Sequence, residues 1–243
     1  MNIIIFGSTG GIGSEIALQL SNNNLFLGAR DSTKLNNLRT KIKTKTSNII
    51  EGSLVDASSF ASVDDFMKIA SKQLGTIDAV INCVGSLILK PAHLTSEEEL
   101  LETIKINLFS SFSIIKYGIK YLRNKGGSMI FFSSSAAKVG LSNHEAIASA
   151  KGAIESLVTS AASTYAKYNI RLNSISPGLV KTNLTSKITE NEISLDYSRK
   201  LHALGRIGKP NNFIPIIKCL LAEDSDWITG QNFKVDGGLS NLK

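Results

Sequence analysis

Short apolar runs alternate with longer amphipathic stretches along the whole chain, and this alternation constrains the fold more than any single motif. The runs are Asn2–Phe6, Leu25–Ala29, Ile49–Glu51, Ile77–Cys83, Ser128–Ser133, Arg171–Ser176 and Phe233–Val235. Between them, apolar residues recur at three- and four-residue spacing, as at Phe60, Val63, Phe66, Ala70 and Leu74, and at Leu108, Phe112, Ile115, Ile119 and Leu122. Continuously apolar strands separated by helices predict a parallel sheet covered on both faces, a three-layer, doubly wound α/β fold of Rossmann type. No internal repeat or linker divides the 243 residues, so a single domain over 1–243 is expected. The least regular stretch, Gly178–Lys209, is polar with a weak helical pattern near Ile193–Leu204. An insertion after a strand's C-terminal end is where such folds cover their ligands.

The first predicted strand runs into Gly7-Ser8-Thr9-Gly10-Gly11-Ile12-Gly13 and then into an amphipathic helix from about Ile12 to Leu20. Strand, glycine-rich turn and helix in this order form a phosphate site. Glycines let the backbone approach a pyrophosphate, and the helix N-terminus offers unpaired N–H groups and positive dipole. The second run ends Gly28-Ala29-Arg30-Asp31. An acidic residue at that strand end would bond a ribose 2′-hydroxyl, whereas an arginine suits a 2′-phosphate. Ala29 stands at the acidic position and Arg30 follows, which favours NADP(H) over NAD(H). Asp31 is close by, and a plain loop start at Arg30 and Asp31 is the alternative.

Composition narrows the partners. The formal charge of +7 comes from lysines scattered along the chain, such as Lys34, Lys41, Lys43, Lys45, Lys68 and Lys72, with no block interleaved with aromatics. A solvated basic surface is expected, not a nucleic-acid interface. Cys83 and Cys219 lie far apart and form no metal-ligand spacing, so no metal site and a reducing, cytoplasmic compartment are expected. No apolar run is long enough for a membrane span, and MNIIIFG has no basic region of the kind that begins a signal peptide.

These motifs, in order and over essentially the full length, resemble the short-chain dehydrogenase/reductase family, with oxoacyl-carrier-protein reductases as the nearest general likeness. Gly7, Gly11 and Gly13 fit its cofactor glycines. Asn82-Cys83-Val84-Gly85 is similar to its Asn-Asn-Ala-Gly segment, and Asn107 to its structural and catalytic asparagine. Ser134 and Lys151 match the catalytic serine and lysine by their spacing. Pro177-Gly178, Val180 and Thr182 resemble the loop that holds the nicotinamide amide, and Gly205–Pro210 and Thr229–Gly238 resemble the C-terminal signature. The resemblance implies a dinucleotide site built from Gly7, Ser8, Thr9, Gly11, Ile12, Gly13, Arg30, Ser53, Leu54, Asn82, Val84, Gly85, Lys151, Pro177, Gly178, Val180 and Thr182. It also implies a homodimer or homotetramer acting on a small-molecule or acyl substrate.

There are three departures from the family pattern. Phe6 replaces a threonine. Ser53 stands where an aspartate binds the adenine amino group. Ile147 occupies the position of the catalytic tyrosine, four residues before Lys151. In the family mechanism the lysine holds the nicotinamide ribose and lowers the phenol's pKa, the tyrosine protonates the substrate oxygen, the serine bonds that oxygen, and the asparagine supports a water relay. Isoleucine can move no proton.

The nearest replacement is His144. Ser142-Asn143-His144-Glu145 has the spacing of a capping box, with Ser142 as N-cap, which predicts His144 in the first helical turn on a face similar to that of Lys151. Imidazole can donate a proton near neutral pH, although a helix N-terminus disfavours its cation. A polar rim contact or no role are the alternatives, and water held by Ser134 and Lys151 is a further proton path. Ser133 and Ser135 flank Ser134 but should turn away from the site. Lys125 and Lys167 are expected near the active-site rim, where they could meet an acidic carrier.

Two functions follow: an NADP(H)-dependent oxidoreductase with non-standard proton delivery, or a catalytically silent dinucleotide-binding sensor or structural partner. The helices near Asn107–Leu122 and Asn143–Tyr168 are apolar on more than one face, as expected of subunits in a homo-oligomer.

Overall fold

The structure, a computed structural model, describes residues 1–242. Its elements run β1 (Asn2–Phe6), α1 (Gly11–Gln19), β2 (Asn24–Ala29), α2 (Ser32–Lys43), β3 (Ile50–Leu54), α3 (Phe60–Leu74), β4 (Ala79–Asn82), α4 (Glu97–Ile104), α5 (Ser110–Leu122), β5 (Gly127–Phe132), α6 (Glu145–Tyr165), β6 (Ile170–Pro177), α7 (Ser186–Thr189), α8 (Glu192–Leu201), α9 (Ile214–Leu221) and β7 (Asn232–Val235). All seven expected strands are present. They form one parallel sheet in the order β3-β2-β1-β4-β5-β6-β7, the doubly wound order with one strand added.

Both faces of the sheet are buried, which is why the strands read as unbroken apolar runs. Phe6, Phe26, Val80 and Phe131 face α3, α5 and α6, and Ile3, Ile5, Leu27 and Ile130 face α1, α2 and α9. Phe66 packs its ring against Phe6 and Phe26, with centroids 4.7 and 5.1 Å apart, and so closes the first layer over β1 and β2. Strand order reverses between β1 and β4, and the crevice outside their C-terminal ends is where such a sheet binds ligands. The chain passes very close to itself there. A β-carbon on Gly7, whose φ is +69°, would lie 2.9 Å from the carbonyl carbon of Cys83, so only glycine fits that turn.

No helix among the described residues is long and apolar enough to cross a membrane.

Candidate active site

The dinucleotide half is built at the switch point. Gly13 starts the close packing of α1 on the turn, where an added β-carbon would lie 2.3 Å from the Gly7 carbonyl oxygen. Ser8 is buried, and its amide and hydroxyl both donate to Gly28 O, at 3.0 and 3.1 Å. Ser8 therefore ties the turn to β2, and the N–H groups of Gly11–Gly13 stand at the N-terminus of α1, which suits a phosphate. Thr182 lies over the start of α1, close enough that a β-carbon on Gly11 would meet its methyl at 2.6 Å. The β6 loop thus reaches across to the glycine turn. Val180 is buried against the core, so it lends backbone rather than side chain to that loop.

At the other end of this half, Arg30 follows β2 and is exposed. Asp31 is not free to compete with it, because its carboxylate caps α2 by accepting from Lys34 N at 3.0 Å. The Ser58 hydroxyl, and after it the charges of Lys105 and Arg30, hold the Asp56 carboxyl below its usual range. Ser53 pairs with Gly28 in the sheet, and its buried Oγ has no hydrogen-bond partner. Leu54 beside it is half exposed. An orphaned hydroxyl beside a glycine cradle fits an adenine amino group, so these residues suit a dinucleotide.

The catalytic half sits at the ends of β4, β5 and β6. Between α4 and α5, residues Lys105–Phe109 form a π-helical turn, a local widening common at functional sites. Asn107 is fully buried within it. Its Nδ2 donates to Thr103 O at 2.8 Å and Ser86 Oγ at 2.9 Å, and its Oδ1 accepts from Ser86 N at 3.2 Å. Asn82 fixes the preceding segment by accepting from Val84 N and donating to Ser111 Oγ. Asn107 Oδ1 and Lys151 Nζ converge on Gly85, where a β-carbon would lie 3.1 and 3.2 Å from them.

Lys151 projects from α6, 8% exposed, and donates to Phe132 O at 2.9 Å. Burial pushes its ammonium down to about 8, against a smaller opposing effect of Cys83. Burial likewise pushes the Cys83 thiol up to about 12, so it stays protonated beside the lysine. The sign for Lys151 is that of a cation disfavoured by folding. Its cost, about 3 kcal/mol for a fall from 10.5 to about 8, is fully present below pH 8 and fades as pH rises from 8 to 10.5. Cys83 acts oppositely above pH 9, but in wild type and variant alike. We therefore expect the stability difference between Lys151→Met and wild type, measured by urea unfolding, to shift toward the wild type between pH 8 and 10.5. A pH-independent difference would mean that Lys151 is not buried as a cation.

Ser134 ends β5. Its Oγ accepts from Ala136 N at 3.2 Å, which leaves its own hydrogen for another acceptor. Of its neighbours, Ser133 turns away, whereas Ser135 still lines the cavity with Ser134. Ser133 donates to Lys151 O and Glu155 Oε1, both at 2.9 Å, and Ser135 to Asp236 Oδ2 at 2.8 Å. These bonds pin Ser134 from both sides.

Ser134, His144 and Ile147 line one cavity of about 490 Å³, roofed by the 178–209 segment through Thr185, Ile188, Tyr197 and Leu201. Pro177 and Gly178 form its edge at the end of β6. Ile147 is 3% exposed and presents hydrocarbon to it.

The capping box around Ser142 does not form. Asn143 takes a left-handed φ of 63°, the helix starts at Glu145, and His144 is the N-cap without a side-chain capping bond. The Ser142 carbonyl instead accepts from His144 Nδ1 at 2.8 Å. A carbonyl can only accept, so Nδ1 carries a hydrogen and Nε2 is the nitrogen left to exchange a proton.

Lys125 and Lys167 are not at the rim. They precede β5 and β6, at the N-terminal ends of the strands and opposite the cavity, and Lys125 pairs with Asp78 at 2.6 Å.

Two cavity residues carry no sequence motif. Tyr197 on α8 lines the cavity. His202, buried just after α8, accepts from Leu179 N at 3.1 Å and donates from Nδ1 to Ser198 O at 2.6 Å. It latches the roof to the β6 loop with both nitrogens spent. Isolated side chains on a weakly patterned helix give a sequence reader no signal.

The fold and these motifs define a dinucleotide-binding oxidoreductase scaffold. A family model described as enoyl-(acyl carrier protein) reductase matches residues 7–240. A chloroplastic tropinone reductase homolog of Arabidopsis thaliana is 31% identical over 244 residues, covering 99% of this chain and 76% of the relative. An (S)-acetoin-forming diacetyl reductase of Staphylococcus epidermidis is 28% identical, covering 97% of both. Among solved structures, a short-chain type dehydrogenase/reductase from Mycobacterium ulcerans superposes with a TM-score of 0.93 at 25% identity, covering 99% of this chain and 90% of that one. The NADP-bound structure of ElxO superposes with a TM-score of 0.89, also at 25% identity, covering 98% of both chains. The chain belongs to the short-chain dehydrogenase/reductase family.

Proposed function

We propose that this protein interconverts a carbonyl compound and its alcohol with NADP(H), and that His144 moves the proton that the family assigns to tyrosine. The observation that carries this reading is that Ser134 and His144 line the same cavity as Ile147. When bound, the dinucleotide would supply or accept the hydride at the substrate's carbonyl carbon. Ser134 Oγ–H donates to the carbonyl oxygen. In reduction, His144 gives that oxygen the proton from Nε2 and is left neutral. In oxidation, neutral His144 takes the proton back, so reduction is favoured by the imidazolium and oxidation by the free base. Lys151, oriented by Phe132 O, would hold the ribose beside the nicotinamide, and Asn107 supports the site from behind Gly85.

The cofactor would lie along Gly7–Gly13, Arg30, Ser53, Leu54, Val84, Gly85, Pro177, Gly178, Val180 and Thr182. The bound NADP of ElxO supports a nicotinamide dinucleotide. Arg30 supports the 2′-phosphate form. A charge-assisted hydrogen bond of about 1.5–3 kcal/mol corresponds to roughly 10–100-fold in affinity. Arg30→Ala should weaken NADPH by that factor in calorimetry and leave NADH unchanged; an unaltered NADPH affinity would remove the preference.

A second reading is a silent dinucleotide-binding protein, which the hydrocarbon of Ile147 at the proton donor's place favours. Tight NADPH binding with no oxidation by any member of a ketone and acyl-thioester panel would select it.

A homo-oligomer is supported by Phe112, half exposed on α5, and by Trp227, 95% exposed before β7. Light scattering should give two or four times the chain mass of 26.1 kDa, and a monomer at micromolar concentration would count against it. The free cysteines Cys83 and Cys219 support a reducing, cytoplasmic setting.

A further inference from the structure

With His144 neutral, the wall of the substrate cavity carries no charge. Although the chain carries 27 lysines and arginines and 20 acidic residues, none of them lines the cavity among the described residues. Leu87, Leu89, Leu141, Ile147, Ile188 and Leu239 provide an apolar surface on several sides. Uncharged polar side chains, among them Ser142, Asn143, Thr185 and Ser194, also line the cavity. Ser134 and His144 meet at the reactive end, and Tyr197 stands on the roof. Ser198 on α8 is not a free anchor, since its Oγ already donates to Ser194 O at 2.7 Å. His202 is spent on its two backbone partners.

A carboxylate or ammonium entering this space loses its hydration and finds no opposite charge, and burial of an unpaired ion is strongly unfavourable. A neutral molecule loses little and gains apolar contact. The volume of about 490 Å³ falls within the range of cavities that enclose a whole small ligand. We infer that the substrate is a neutral, predominantly apolar ketone or secondary alcohol bound as a whole small molecule, and that acids, phosphates and protonated amines are rejected at the cavity wall. This rests on the oxidoreductase reading for the carbonyl but not for the charge selection.

The test uses the full chain loaded with NADP⁺ and a matched set of cyclohexanones carrying a tert-butyl, a carboxylate or an aminomethyl group at carbon 4, measured by calorimetry. Binding needs no turnover, so charge selection is read even if the protein is silent. The neutral ketone should bind at least about tenfold more tightly than either ion, a difference of about 1.4 kcal/mol. Equal or tighter binding of either ion would overturn the inference. Leu89→Arg should then raise the affinity for the carboxylate at least about tenfold. If it leaves all three affinities unchanged, the ketones bind elsewhere and the inference fails. If selection holds but NADPH is never oxidised by the neutral ketone, the inference stands and the oxidoreductase reading falls.

Discussion

His144→Ala should lower kcat for carbonyl reduction by about 10²–10⁴-fold, the usual contribution of a positioned proton donor. NADPH affinity should not change, because His144 lies on the substrate cavity and not along the glycine turn. The size of the effect follows from what else is available. Ile147 offers hydrocarbon. His202 has both nitrogens committed to backbone. Lys151 donates to Phe132 O from behind Gly85. His144 alone combines a titratable ring, a place on the cavity wall and a tautomer fixed by the Ser142 carbonyl. His144→Gln keeps the bulk but cannot transfer a proton, so it should be as slow as alanine; activity retained in both variants would point to water carried by Ser134 and Lys151.

The second large effect is a rescue. In the His144→Ala background, Ile147→Tyr should raise kcat at least about tenfold, toward the range that general acid catalysis supplies. Position 147 already faces the cavity beside Ser134, so a phenol there has room and an oxygen-binding partner. Lys151, one turn further along α6, is fixed by Phe132 O and can act on that phenol. Ser133 and Glu155 hold α6 to β5, which keeps the serine and lysine in register whatever residue stands at 147. A hydrocarbon in an otherwise furnished site is thus a local substitution, and local substitutions can be reversed. Failure of the rescue, with the double variant folded and binding NADPH, would mean that the cavity works by a different arrangement.

Much of this was legible in the residues because parallel strands buried on both faces leave an unmistakable apolar signature. All seven strands were, with differences at the edges. The fourth begins at Ala79 and not Ile77, although Asp78 N still donates to Asn2 O at 2.9 Å and Asp78 O accepts from Ser128 N at 3.1 Å. The glycine turn was legible because Gly7 and Gly13 occupy positions where a β-carbon collides with backbone. The π turn at Asn107 was not, since a 3.6-residue pattern running through Leu108 and Phe112 absorbs one wider turn without a break. The start of α6 was misleading. Ser142 and Glu145 have the right spacing for a reciprocal cap, but the left-handed Asn143 moves the helix start and makes His144 the N-cap. The position of Lys125 and Lys167 follows from chain order alone, because residues just before a parallel strand lie at the end remote from the site. The roof could not be read, because what places Tyr197 and His202 on the cavity is tertiary packing of a polar helix.

On the proposed function, a hydride-transfer site survives around Ile147 and the proton is rerouted through His144. Single-turnover oxidation of NADPH with a neutral cyclic ketone tests it most directly, followed by absorbance in the wild type, His144→Ala, Ile147→Tyr and the double variant. The wild type should oxidise NADPH, His144→Ala should be about 10²–10⁴-fold slower, and the double variant should recover. A wild type that binds NADPH but oxidises none, with oxidation appearing only once tyrosine stands at 147, would contradict it and leave a silent dinucleotide-binding protein.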